Sequence, residues 1–416
     1  MQPTALASIA VPGTRLHVRL AWLCGVILFL EGYDIAAVGY AIPSLVDGWR
    51  IPPSAFTQAL TAGNIGLMLG SVIAGSLGDR FGRKPVLIGC VVLFGAFSLL
   101  SAFVGSPMQL ASIRFFASVG LGGGLPLIVA LVSDFAPRPT QARLLILMIM
   151  GVPIGFALGG FLASWLVRLY GWPAIFVTGG ILPLAMAPPL VLWLPNLAMQ
   201  RAAQYGRPLA LLFQNGLATS TALLWAVNAL SLLGIYFILQ WTPALLHTTG
   251  VSPSHAILAT TMYGVGTIAS PLLTAPMVER FGIEQVLACL LTFGSCCVLA
   301  IGLLFPGFWI IALLLCGVGL GGGSQAGIMS LSALNYPQAI RSTGAGWALG
   351  AGRVGTISGP LLAGLLLSLG FRAQKIFVLA AIPAFSTALL MAILARLRSK
   401  QVSPTVMWRS QRRSIL

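Results

Sequence analysis

Ionisable side chains are scarce enough in this chain to be placed one by one. Of 416 residues, 7 are Asp or Glu and 23 are Lys or Arg. Two of the acids, Glu31 and Asp34, fall in the middle of an apolar run. A charge at the centre of a bilayer costs about 2.5–3.5 kcal/mol on insertion scales, which makes an ionisable residue at that depth a functional candidate. The i, i+3 spacing puts the two carboxylates on one helix face. Repulsion and loss of water there favour keeping a proton on one of them, the chemistry of a proton-coupling element. The plainer alternative is a structural pairing with Arg114. The equivalent positions in the second half of the chain hold Ser231 and Gly234, so packing symmetry does not demand the acids.

Two arginines also lie within apolar runs, Arg114 in the first half and Arg353 in the second. A guanidinium fork matches a carboxylate in bidentate geometry. The second half has no mid-run acid to neutralise Arg353, so that residue is the candidate for holding an anionic substrate. Its alternatives are helix-end carbonyls or the acids across a central cavity. Arg114 has acids in its own half, which favours a structural role and leaves it second in line for the substrate. Tyr236, Gln240 and Trp241, with Asn228, occupy the seventh apolar run, Tyr263 the eighth and Gln325 the tenth. Amides and aromatic tips at that depth suit an amphipathic organic ligand, and equally suit hydrogen bonding between helices.

Other patterns are weaker. His247 and His255 flank a loop, where solvation is the default, and two histidines alone make no metal site. Two G-x-G-x-x-G patterns (Gly317, Gly319 and Gly322; Gly350, Gly352 and Gly355) lie in apolar runs with no preceding strand, so the nucleotide-binding context is missing. No nucleophile elbow or zinc-protease motif occurs. The expectation is therefore no enzyme, no metal and no cofactor.

The elements that position these residues follow from composition. Apolar residues make up 58%, charged residues 7%, and mean hydropathy is +0.97. A soluble domain carries about 25% charge, so soluble, disordered and coiled-coil classes are excluded. The apolar runs are continuous rather than alternating, which argues against a β-barrel. Twelve helical spans are expected near 19–46, 55–77, 85–103, 108–135, 144–170, 174–194, 210–246, 255–278, 286–305, 308–334, 343–369 and 376–397. The net charge of +16 is not a nucleic-acid footprint, because the basic residues sit at span ends. Seventeen fall on the side of the termini and four on the other, which places both termini in the cytoplasm of a multi-pass protein of the inner (plasma) membrane. The six cysteines lie in apolar runs and read as small buried hydrophobes.

The chain also repeats itself at an offset of about 200. Arg-Phe-Gly at 80–82 recurs at 280–282, and Val119–Gly124 recurs as Val318–Gly323. Gly66, Pro137, Gly155 and Gly159 match Gly266, Pro337, Gly355 and Gly359. The expected organisation is an all-α membrane protein of two six-helix halves, 1–194 and 210–416, joined by a cytoplasmic linker at 195–209 and ending in a basic tail. Parallel halves around a central site form a transporter architecture.

Gly75-Ser-Leu-Gly-Asp-Arg-Phe-Gly-Arg-Lys84, between spans 2 and 3, resembles the signature loop of the major facilitator superfamily, with a degenerate copy at Ala275–Glu284. The resemblance implies a cytoplasmic gate clasp formed by Asp79, Arg80 and Arg83. Glu31-Gly-Tyr-Asp34, Trp241-x-Pro243, Tyr336-Pro-x-x-x-Arg341-x-x-Gly344 and Gly352-Arg353-x-Gly355 resemble elements of the aromatic acid/proton symporter family. That likeness implies that Glu31, Asp34 and Arg114 are needed for proton-coupled uptake of aromatic carboxylates. Glu31 departs from the Asp usual in that family. Gly151-x-x-x-Gly155-x-x-x-Gly159-Gly160 resembles the antiporter motif of drug exporters, with Phe156 at its proline position. The expected function is a monomeric secondary transporter in a lipid bilayer that takes up a small organic anion, an aromatic carboxylate, with protons by alternating access. The alternative is a proton-driven exporter of amphipathic compounds.

Overall fold

The computed structural model describes residues 14–135, 138–194, 209–214, 217–305, 307–337 and 340–401. Among these there is no strand. The helices are α1 (Thr14–Trp49), α2 (Thr57–Phe81), α3 (Arg83–Leu100), α4 (Pro107–Phe135), α5 (Arg138–Ile149), α6 (Gly151–Tyr170) and α7 (Pro173–Trp193). They continue as α8 (Ala218–His247), α9 (Pro253–Phe281), α10 (Ile283–Leu304), α11 (Phe308–Gly322), α12 (Gln325–Leu334), α13 (Arg341–Ser368) and α14 (Ala373–Gln401).

The described residues contain twelve helical spans long and apolar enough to cross a membrane. The fifth is built from α5 and α6, and the tenth from α11 and α12, where one helix had been expected for each. The first break is slight, since Met150 N–H still reaches Ile146 O at 3.1 Å and Ile154 N–H reaches Met150 O at 3.2 Å. The second falls at Gly323-Ser324, a small polar pair of the kind at which helices bend. The seventh span begins at Ala218, eight residues later than the expected 210, behind a short 3-10 turn at Leu209–Phe213. Asp47, expected in a loop, lies in the last turns of α1, which runs on to Trp49. Most of the expected linker, 195–208, and the end of the basic tail lie outside the described residues.

The outer surface is apolar. Leu192 is 75% exposed, Leu313 72% and Trp309 76%. Such contiguous exposure is costly in water and fits a lipid-facing shell. Cys289 and Cys296 share it, contrary to the expectation of buried cysteines, whereas Cys24 and Cys297 are buried.

Lipid tails are as apolar as leucine, so helices associate in a membrane through close packing and small residues. The glycine runs are used this way, in duplicate. A side chain at Gly66 or Gly70 on α2 would strike the Phe115 or Val119 carbonyl of α4. In the second half Gly266 on α9 meets the Cys316 carbonyl of α11 in the same manner. Gly155 on α6 seats against Phe29 and Tyr33 of α1, and Gly355 on α13 against Ala229 and Leu233 of α8. The turns match too: Gly82 and Gly282 have φ of +94° and +84°, a conformation glycine adopts without strain. Arg80 and Arg280 each lie over the following Phe ring, at 5.2 and 5.3 Å.

Twelve crossings return the chain to the face where α1 begins, called here the near face. At the far face the halves share one core, with Tyr40, Ile42 and Leu45 of α1 packed among Phe237, Trp241 and Leu245 of α8 and Ala256 and Ile257 of α9. Toward the near face this core divides. Leu23, Ile27, Leu87, Leu127 and Leu131 cluster within the first half, while Leu224, Val227, Leu287, Ile328 and Leu331 cluster within the second. The halves are thus joined at the far face and separate at the near one.

Gly66→Val and Gly266→Val should each destabilise the fold by about 1–3 kcal/mol, the range for overpacking a close contact. Thermal unfolding in detergent should show comparable losses for the two. Gly89→Ala, where a Cβ meets nothing within 4 Å, should show none.

Candidate transport site

The four charges of the mid-span region, Glu31, Asp34 and Arg114 buried and Arg353 half-buried, resolve into two pairs of different kinds. Asp34 on α1 is fully buried and held by Arg114 of α4. Arg114 Nη2 donates to Oδ2 at 2.5 Å and to the Asp34 carbonyl at 3.2 Å, and Nη1 donates to Oδ1 at 3.2 Å. Ser98 of α3 donates a further hydrogen bond to Asp34 Oδ1. Gly179 of α7 leaves room for this group, since a Cβ there would lie 3.2 Å from both Asp34 Oδ1 and Ser98 Oγ. The guanidinium also lies 5.9 Å from the Phe176 ring centroid. The pair therefore closes within the first half and is fastened to four of its helices.

Glu31 lies three residues earlier but has other neighbours. Its carboxylate sits on α4 directly over Gly124, where any side chain would collide with it. The charge acting on it is Arg353 of α13, in the other half. Arg353 in turn stands beside the Tyr236 hydroxyl of α8. Glu31 and Arg353 lie near enough across the interface to interact through charge, without a salt bridge of the kind Asp34 makes. The i, i+3 spacing suggested one shared carboxylate face, and the structure instead assigns the two acids to different partners. Glu31 is one of the acids across the cavity that the sequence offers as an alternative partner for Arg353.

Amides tie the halves together beside this cluster. Asn64 Nδ2 of α2 donates to Gln240 Oε1 of α8 at 3.2 Å and to the Thr356 carbonyl of α13 at 2.7 Å. Gln240 Nε2 returns a bond to Asn64 Oδ1 at 3.2 Å. Asn64, Gln240, Arg114 and Ser118 share the wall of a cavity of about 20 Å³ between α1, α2, α4 and α8. A water needs roughly 10–15 Å³ by this kind of measure, so an aromatic ring enters only after the halves shift. Arg114 Nε, buried without a hydrogen-bond partner, belongs to the same wall.

The remaining expected residues divide by location. Trp241 is fully buried in the far-face core, its indole N–H unpaired. Tyr263 packs on Gly319 and Gly322 of α11, inside the second half. Gln325 accepts from Ser231 Oγ at 2.8 Å and donates to Asn228 Oδ1 at 3.2 Å, and Asn228 reaches Ser332 Oγ at 3.1 Å. Tyr263 and Gln325 thus brace the second half rather than join the interface cluster. Asp79 and Arg80 are exposed in the near-face turn, and Arg83 Nη1 donates to the Ala130 carbonyl of α4 at 2.6 Å. Among the described residues no group of His, Cys, Asp and Glu is arranged to hold a metal ion. Sequence reasoning missed Asn64, Ser98 and Thr356. A lone asparagine mid-span was the available signal for the first.

Two six-helix halves, meeting around charges of opposite sign contributed by each, have the architecture of a secondary membrane transporter. A family model described as the Major Facilitator Superfamily matches residues 24–248 and 224–416, and the chain belongs to that superfamily. The gallate transporter of Pseudomonas putida is 32% identical over 90% of this chain and 90% of its own length. The 3-(3-hydroxy-phenyl)propionate transporter of Escherichia coli is 35% identical over 84% and 86%, and the benzoate transport protein of Acinetobacter baylyi 31% identical over 89% and 88%. The crystal structure of a D-xylose-proton symporter superposes with a TM-score of 0.72 at 17% identity, covering 90% of this chain and 97% of that one.

Breaking a buried ion pair by removing one partner costs about 3–5 kcal/mol, because a charge is left uncompensated. Asp34→Asn and Arg114→Gln should each lower thermal stability in detergent, and the double variant should recover a large part of the loss. A double variant whose loss equals the sum of the singles would show that the two side chains are not coupled.

Proposed function

We propose that this chain carries an aromatic carboxylate inward together with protons, by alternating access, and that Arg353 and Glu31 couple the two cargoes. The observation that carries this reading is the Arg353–Glu31 opposition across the interface, with the Tyr236 hydroxyl beside the guanidinium. A carboxylate arriving at Arg353 satisfies the fork bidentately and withdraws the counter-charge from Glu31. A buried carboxylate that loses its cation is neutralised by a proton rather than left charged. Substrate and proton then enter as a neutral set, and the halves can rock without stranding a charge. The relatives named above for gallate, 3-(3-hydroxy-phenyl)propionate and benzoate support the cargo class, since each of these molecules combines an aryl ring with a carboxylate, on the ring itself or on a short chain.

The other residues take supporting parts in this reading. Arg114 and Asp34 hold the first half rigid, and Asp34 is the second proton-coupling candidate. Gln240, with Asn64, presents amides to polar groups on the ring, and Trp241 forms the apolar end. Tyr263 and Gln325 fix the second half's framework. Asp79, Arg80 and Arg83 form the near-face clasp once that face closes. The near face is cytoplasmic, by the seventeen-to-four distribution of basic residues. The halves are 1–194 and 210–416 around a linker at 195–209, in a monomer of the inner membrane that catalyses no covalent chemistry. The glycines of the exporter-like motif seat α6 on α1, a packing duty that carries no direction of transport.

Proteoliposomes with an imposed proton gradient test the coupling. Glu31→Gln should abolish uphill accumulation of benzoate or a hydroxybenzoate while counterflow exchange persists. Arg353→Lys keeps the charge and loses the fork, so affinity for the acid should fall roughly tenfold or more, tenfold being about 1.4 kcal/mol. The uncharged amide analogue should be indifferent. Equal losses for acid and amide would make Arg353 structural and pass the carboxylate to Arg114.

A further inference from the structure

The far face carries a polar contact between the halves that the transport site does not use. His247, at the end of α8, places Nε2 2.8 Å from Asp47 Oδ1 of α1 and Nδ1 2.8 Å from the Val251 carbonyl oxygen. The imidazole side chain is 16% exposed and the Asp47 side chain 58%. A carbonyl and a carboxylate are both acceptors, and a neutral imidazole has a single N–H. Two contacts of 2.8 Å therefore require a second proton, on the ring or on the carboxylate. Either way the closed contact holds one proton more than a neutral histidine and an ionised aspartate bring to it.

We propose that the His247–Asp47 pair is a proton-binding site of the far-face gate, loaded when the halves close there and emptied when they part. Asp47 is exposed enough to exchange that proton with the medium on its own side. Because the pair opens and closes on one face only, its proton returns to the side from which it came. It sets the equilibrium between the two facing states and adds nothing to the stoichiometry of transport. The other charged or titratable groups of this face are Arg50 at the end of α1, Arg168 and Tyr170 at the end of α6, His255 at the start of α9, and Arg372 and Lys375 before and in α14. His255 is engaged separately, with Ser252 Oγ at 2.6 Å and the Phe308 ring at 5.3 Å. Asp47 is the ionisable group in contact with the His247 ring.

The sign follows from proton uptake on closure. Acid favours the closed far face, and raising pH favours opening. One proton per closure limits the effect to about tenfold in the closed-to-open ratio per pH unit. If the near face is cytoplasmic, as the proposed function has it, an acidic exterior turns the carrier inward.

The test is the distance between spin labels at Met108 and Leu369, both exposed at the far face in different halves, with the native cysteines replaced and the protein in nanodiscs without substrate. The far-face distance in the otherwise wild-type chain should lengthen between pH 5.5 and 8.5. In Asp47→Asn the side-chain amide donates to a neutral Nε2, so closure should persist across the range with the pH response lost. His247→Gln should likewise be flat, and serves if the first variant does not fold. A wild-type distance that ignores pH, or a response that both variants retain, overturns the proposal. Neither result bears on whether Arg353 binds a carboxylate, and the readout does not depend on which face is cytoplasmic.

Discussion

A charge removed from water has to be compensated where it lies, and in this chain that constraint falls on four side chains. Asp34 and Arg114 settle it locally, with three hydrogen bonds between them and a fourth from Ser98. Glu31 and Arg353 do not, because one belongs to each half and they interact through charge without a salt bridge between them. A closed pair fixes a structure, whereas an open pair can be completed by something else. In the proposed function, an anion that takes the arginine and a proton that takes the acid complete it together. Each alone leaves a charge unbalanced, at a cost that effective dielectrics near 20 put at about 4 kcal/mol for unit charges 4 Å apart. Coupling in this reading is the avoidance of that cost.

For such a site to report on one motion, the two halves must behave as rigid bodies. Glycine supplies the rigidity by letting backbones touch inside each half, as α2 does on α4 and α9 on α11. Between the halves the approach is close only toward the far face. A Cβ at Gly39 of α1 would lie 2.7 Å from the Leu239 carbonyl of α8, and one at Gly264 of α9 would lie 2.8 Å from the Ala157 nitrogen of α6. Nearer the opposite face each half keeps its own core. The 20 Å³ cavity between Arg114 and the Asn64–Gln240 amides lies where the joined and divided regions meet.

The twelve spans, the two-fold repeat and the depth of the charged residues were legible in the sequence, because hydropathy and spacing along one helix are local properties. Gly66 and Gly266, matched by offset, make the same contact in the fold. What spacing could not show was rotation about the helix axis combined with side-chain direction. Glu31 and Asp34, three apart, diverge to α4 with Arg353 and to Arg114 with Ser98. The partner across the interface was legible only as an alternative, the acids across a central cavity, because spacing could not say which of Glu31 and Asp34 Arg353 would meet. His247 was read as a solvated loop residue because it flanks the loop between the seventh and eighth spans. The continuation of α1 to Trp49 brings Asp47 to the ring. Tyr263 and Gln325 had the residue types of a ligand site and turned out to bind their own half together.

The repeat also explains why the functional pairs are unlike residues. Under a two-fold relation, equivalent positions approach each other only along the axis, and at offset 200 both Gly39 with Leu239 and Asp47 with His247 do so. Two identical copies meeting there would oppose like to like: two aspartates would repel and two histidinium rings would repel. A clasp on the axis therefore requires the copies to have diverged, and they have, to an acid and an imidazole. The same logic holds at mid-depth. Glu31 has Ser231 as its counterpart and Arg353 has Pro153, so each half contributes a charge that the other lacks. Symmetry builds the two bodies and the motion between them, and the departures from symmetry are the places where that motion can be made to depend on an anion or a proton.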